Sequence, residues 1–70
     1  MFLIWSNEHR AWWRPHRAGY TQCIQQAGIY SGKDAMQIVS DATLRWMEAP
    51  KEVPVRVEDL PEAARLLVQM

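Results

Sequence analysis

His9, His16 and Cys23, with Glu8 beside the first of them, are the residues whose types could bind a metal or perform nucleophilic chemistry. Zinc sites built from cysteine and histidine place their ligands in tight pairs, and the seven-residue gaps here do not follow that spacing. We therefore expect loop histidines, no metal and no cofactor. A Cys23 nucleophile served by His9 or His16 would need a third group to orient the base, and an oxyanion pocket. Asp34 is the acid that could be invoked, but nothing in the spacing brings it near. A free cysteine more often behaves as a small buried hydrophobe, which is the expectation for Cys23. The sequence holds no phosphate loop, dinucleotide fingerprint or HExxH string. The protein is expected not to be an enzyme.

Chemical density is highest in residues 5–20, where Trp5, Trp12, Trp13 and Tyr20 alternate with Arg10, Arg14 and Arg17 and with both histidines. Arg10, Trp12, Trp13, Arg14, His16, Arg17 and Tyr20 are the candidate binding residues. Such a run can stack on and neutralise a single strand of nucleic acid, each stacked base contributing roughly 1–3 kcal/mol. An exposed tryptophan flanked by arginine is also the composition of a protein-interface hot spot. Against both readings stands the need of a small core for aromatic area. Trp5 and one of the twin tryptophans are therefore expected beneath the main helix, with the arginines solvated outside.

With 70 residues the chain suits one small domain, residues 1–70, which hides a smaller share of its surface than a larger domain would. A single cysteine excludes an internal disulfide and fits a reducing compartment. Stability must then come from large apolar groups, 49% of the residues being hydrophobic, or from oligomerisation. The apolar run at residues 1–5 lacks a basic flank and is too short for a signal peptide or a membrane span. A soluble, unprocessed cytoplasmic protein is expected. Formal net charge is zero, with two surplus positive charges in residues 1–35 and two surplus negative ones in residues 36–70. That is far from the basic footprint of a duplex-DNA binder.

Several elements must position these residues. Residues 2–5 suit a strand, and the polar Ser6, Asn7, Glu8 and His9 suit the turn after it. Residues 10–14 would return as a second strand, where alternation sends Trp12 to one face and Trp13 to the other. Pro15 and Gly19 mark residues 14–19 as a loop. Thr21 can cap a short turn over residues 22–27, with Gly28 as its C′ residue. Ser31 is a good N-cap for the main helix, with Asp34 three residues on. Ala35, Ile38, Val39, Ala42 and Trp46 form one helical face, and Pro50 ends it. Residues 52–57 alternate, with Val53, Val55 and Val57 toward the helix and Pro54 marking an edge strand. Asp59 to Glu62 repeats a capping pattern ahead of Ala63, Ala64, Leu66, Leu67 and Met70, a short helix or turn. The expected class is α+β: a small antiparallel sheet of about three strands covered by one main helix, with a short C-terminal helix or turn.

The string Ile4-Trp-Ser-Asn-Glu-His9, then Trp12-Trp13, Gly19-Tyr20-Thr21, Ala27-Gly28 and Tyr30-Ser31 followed by Ala35, resembles a group of short uncharacterised phage and prophage proteins. The resemblance covers roughly the first forty residues and implies a phage or prophage origin and an accessory role. With the residues themselves, it leads to the expectation of a non-catalytic protein that binds a host, phage or defence component in the host cytoplasm. A single-stranded nucleic-acid binder using residues 10–20 is the second reading, and a small structural or assembly subunit the third. No membrane partner is expected. Whichever of Trp12 and Trp13 points outward, together with the Pro54 edge, is expected to support a homodimer at micromolar concentration.

Overall fold

The computed structural model describes residues 1–42 and 51–68. In chain order it runs β1 (Phe2–Ser6), β2 (Ala11–Trp13), a 3-10 turn (Pro15–Arg17), β3 (Tyr20–Thr21) and a second 3-10 turn (Ile24–Gln26). Then follow α1 (Gly32–Ala42), β4 (Glu52–Arg56), a third 3-10 turn (Val57–Asp59) and α2 (Glu62–Val68). The strands form one antiparallel sheet in the order β3-β2-β1-β4. This is the expected α+β class with one strand more. The addition, Tyr20–Thr21, is too short for any alternation to show; Gly19, at φ 102°, is what turns the loop back to pair it.

Register decides which residues share a face. Trp5 lies opposite Trp12 and Val53, while Ser6 lies opposite Ala11 and Glu52. Since neighbours along a strand alternate and cross-strand partners agree, one face carries Phe2, Ile4, Ser6, Ala11, Trp13, Tyr20, Glu52 and Pro54. The other carries Leu3, Trp5, Trp12, Thr21, Val53 and Val55.

The α1 helix covers the Ile4 face. Its N-cap is Ser31, whose Oγ accepts the Asp34 N–H at 3.2 Å. Ile38 and Ala35 from the helix, Ile4 from the sheet and Tyr30 from the approach to the helix form the buried core, with Phe2 and Trp13 packed against it. Val39, on the same helical stripe, is half-buried. Trp46, Pro50, Met70 and the side chain of Ala42, which complete the sequence expectations for the two helices, lie outside the described residues. Tyr30 is the core member that the spacing does not announce. A two-way backbone pairing with Phe2 places it, Phe2 N–H to Tyr30 O at 2.8 Å and Tyr30 N–H to Phe2 O at 2.7 Å.

Trp5 does not lie beneath α1. It shares the opposite face with Trp12, against which it packs edge-on, centroids 4.9 Å apart at 71°. The β4 valines are corrected in the same way. Val53 and Val55 stand on the face away from α1, Val57 has already entered the third 3-10 turn, and the buried residue of the strand is Glu52. Alternation identifies the apolar side of a strand; it does not identify which layer that side meets. The face away from α1 is itself covered at Leu3, which is fully buried, while Val53 on the same face is exposed. The α2 helix packs on the second and third 3-10 turns and buries Val68 while leaving Leu66 and Leu67 exposed.

Gly28 does follow the Ala27 C-cap of the second 3-10 turn, but without a positive φ, and its N–H donates to Trp13 O and not to the turn; the chain comes so close to the 14–19 loop here that a Cβ on Gly28 would sit 2.8 Å from Pro15 Cα. Gly28→Ala is accordingly expected to lower stability by about 1–3 kcal/mol through overpacking, read as a shift in the urea midpoint. A midpoint equal to wild type would mean that the loop is not seated on this glycine.

Candidate functional site

The basic-aromatic run divides into three places. Trp12 is half-buried and belongs to a cross-strand row, Thr21, Trp12, Trp5 and Val53, that crosses the face away from α1 and ends on edge strand β4. Val53 at the end of that row is 36% exposed. Neither twin tryptophan stands fully exposed, since Trp13 is also half-buried.

Trp13 points the other way. Its indole Nε1–H donates to Glu52 Oε2 at 2.7 Å, across the sheet from β2 to β4. Tyr20 stands beside it, rings perpendicular at 78° with centroids 5.8 Å apart. His9 lies flat on Tyr20, centroids 4.0 Å apart at 26°. Partial burial first, and then the nearby carboxylates of Glu52 and Glu8, push the Tyr20 hydroxyl above its usual range. The turn that brings His9 here spans residues 7–10, with Arg10 exposed and left-handed at φ 53°. That conformation makes β2 start one residue later than the alternation suggests, at Ala11.

The third place is the 14–19 loop. Arg14 N–H donates to Gly19 O at 2.8 Å, and Arg14 Nε donates to Tyr20 O at 3.1 Å. His16 and Arg17 both take left-handed conformations, φ 60° and 56°. Sparsely populated backbone of this kind costs on the order of 1–3 kcal/mol per residue and persists where its surroundings enforce it. Here the Tyr30 hydroxyl does so, donating to Arg14 O while accepting the Arg17 N–H at 3.2 Å. Between the loop and the start of α1 lies an open cleft of about 610 Å³ lined by Pro15, His16, Arg17, Ile29, Tyr30 and Asp34. Arg17 also reaches Asp41 at 3.6 Å, in a solvent-exposed pair of small energetic weight.

His9 and His16 thus sit at opposite ends of β2. Cys23 is exposed at the entry to the second 3-10 turn, its N–H donating to Thr21 Oγ1 at 3.0 Å. The expectation of a buried thiol is therefore corrected: Thr21, not Cys23, is the buried residue of this corner, tied to Cys23 N–H and to Gln26. Sequence reasoning missed Glu52 as a site residue, taking it for the solvated side of β4. No helix of the described residues is long and apolar enough to cross a membrane. The chain matches no protein-family model, and neither a curated protein nor a solved structure is similar to it.

Proposed function

We propose that this is a non-catalytic accessory protein, of phage or prophage origin, that acts in the host cytoplasm by binding another protein. The observation that carries the reading is the row Trp12, Trp5, Val53 on the face away from α1, an aromatic pair running out to an exposed valine on the sheet edge. Half-buried tryptophans of this kind, ordered by one another before any partner arrives, lose little freedom on binding and are typical interface anchors. A host, phage or defence component is the partner class. The nucleic-acid reading has less support. Trp12 lies on the face opposite Trp13 and Tyr20, Arg17 is engaged by Asp41 and Arg14 by the Tyr20 carbonyl, so rings and charges do not line one groove. A small assembly subunit is the third reading.

Affinity capture from host lysate tests the proposal. A protein retained by the wild type and lost with Trp12→Ala, but kept with Arg17→Ala, is the expected result. Capture indifferent to Trp12 and Trp5 would sink it, and binding that weakens steeply with salt would favour nucleic acid. The same row is expected to support a homodimer at micromolar concentration, related by a two-fold axis. Light scattering should give twice the monomer mass for the wild type and the monomer mass for Trp12→Ala. A wild-type monomer across that range removes self-association and leaves the row to a different protein.

A further inference from the structure

We propose that residues 14–19 form a strap that opens and closes as a unit while the sheet and α1 stay folded, with the Tyr30 hydroxyl as the latch that holds it shut. The strap has no core of its own, since residues 15–19 are all exposed and its 3-10 turn buries nothing. What holds it comes from outside. The Tyr30 hydroxyl donates to Arg14 O at one end and accepts the Arg17 N–H at 3.2 Å near the other, so one atom spans the strap from Arg14 to Arg17. The post that carries this hydroxyl is fixed independently. Tyr30 is buried, belongs to the core cluster with Ile4, Ala35 and Ile38, and is paired with Phe2 through both of its backbone groups.

The closed form is a compromise. His16 and Arg17 both stand in the left-handed region, which a residue with a Cβ keeps only where its surroundings impose it. Opening gives that strain back and offsets part of what the lost hydrogen bonds contribute, so the strap opens at far lower cost than the whole fold. Its remaining ties are weak. Ala18 N–H to Pro15 O, at 3.2 Å, lies within the strap itself, and Arg17 meets Asp41 at 3.6 Å with both side chains about half exposed. The ends are built to turn. Trp13 pairs with Tyr20 below the strap, Arg14 N–H to Gly19 O closes its base, and Gly19 at φ 102° can change conformation with no Cβ to hinder it. Pro15, His16 and Arg17 supply one wall of the cleft at the start of α1. Opening therefore removes that wall and frees the Arg17 guanidinium from Asp41, whereas closure rebuilds both. The device does not depend on the face that carries Trp12 and Trp5.

Amide hydrogen exchange in the full chain, labelled with nitrogen-15 and corrected for intrinsic rates, tests the strap. In the wild type the Arg14, Arg17 and Ala18 amides are expected to share one protection factor, well below those of Tyr30 and Ala35. Tyr30→Phe keeps the ring in the core and removes only the latch. It should lower the protection of Arg14 and Ala18, whose amides do not touch the hydroxyl, by about tenfold, the effect of one hydrogen bond of ordinary net strength. The amides at positions 30 and 35 should hold. Trypsin should then cut faster after Arg17, the bond after Arg14 being shielded by Pro15. His16 is exposed, so His16→Val leaves the packing alone and adds a β-branched residue to the left-handed position; it should lower the same three amides together, and His16→Gly should not. Should Tyr30→Phe also lose protection at Ala35, the histidine variants decide. Strap and core amides of equal protection in the wild type, a loss confined to Arg17 in a folded Tyr30→Phe, or equal behaviour of His16→Val and His16→Gly would each overturn the proposal.

Discussion

Replacing Ile38 with alanine is expected to remove about 2–5 kcal/mol of stability. Ile38 is 1% exposed and joins Ile4, Tyr30 and Ala35 in the buried cluster beneath α1. In a chain of 70 residues few other groups can close over the space left behind. Single domains are stabilised by only about 5–15 kcal/mol in total, and those of this size lie toward the low end. The variant should therefore melt at a much lower temperature or be unfolded at 25 °C, as circular dichroism would read. An unchanged melting curve would mean that the helix does not rest on this face.

Trp13→Ala is expected to cost a similar amount, about 3–5 kcal/mol, for two separable reasons. It removes the indole that packs on the Ile4 cluster, and it strips Glu52 of its donor. Trp13→Phe isolates the second reason. It keeps most of the apolar surface and leaves a buried carboxylate without a hydrogen bond, a loss of roughly 1–3 kcal/mol. Adding Glu52→Leu to Trp13→Phe should recover part of that loss, because deleting both partners of a buried polar contact is far less harmful than deleting one. Denaturant titration of the two single variants and the pair gives the coupling. A coupling of zero would show that the indole and the carboxylate do not meet.

Some of this architecture is readable in the chain because the signals are local. Ser31 with the stripe Ala35, Ile38, Val39 needs only its own neighbours to specify a helix and its inward side. The divergence of Trp12 and Trp13 needs nothing more than strand alternation. What is not local is which layer each strand face meets. Trp5 and the β4 valines share a face through pairings between distant strands, and that face turned out to be the one away from α1. Glu52 is the sharpest case. Its hydrogen-bond partner is 39 residues away, and by composition alone it belongs among the solvated charges of an alternating strand. His9 on Tyr20 depends in the same way on a hairpin and a loop both closing as they do. The candidate residues 10–20 are contiguous in sequence yet occupy three surfaces, since a strand shares its side chains between two faces and a loop takes the rest.

Pro54 has an effect on what this molecule can become in a crowded cell. It stands opposite Ile4 on β4, and among the described residues no strand pairs with the outer side of β4. Asn7 N–H to Lys51 O and Val57 N–H to Met1 O show that the odd-numbered residues turn their amides toward β1, so Glu52, Pro54 and Arg56 turn theirs outward. An outer rim of that kind would normally invite another chain to extend the sheet. Here its middle position carries no N–H at all, and a strand laid along it would forfeit the central bond and meet the pyrrolidine ring. The β4 rim is therefore poorly suited to adding strand upon strand, the kind of edge-to-edge growth that leads to fibrils.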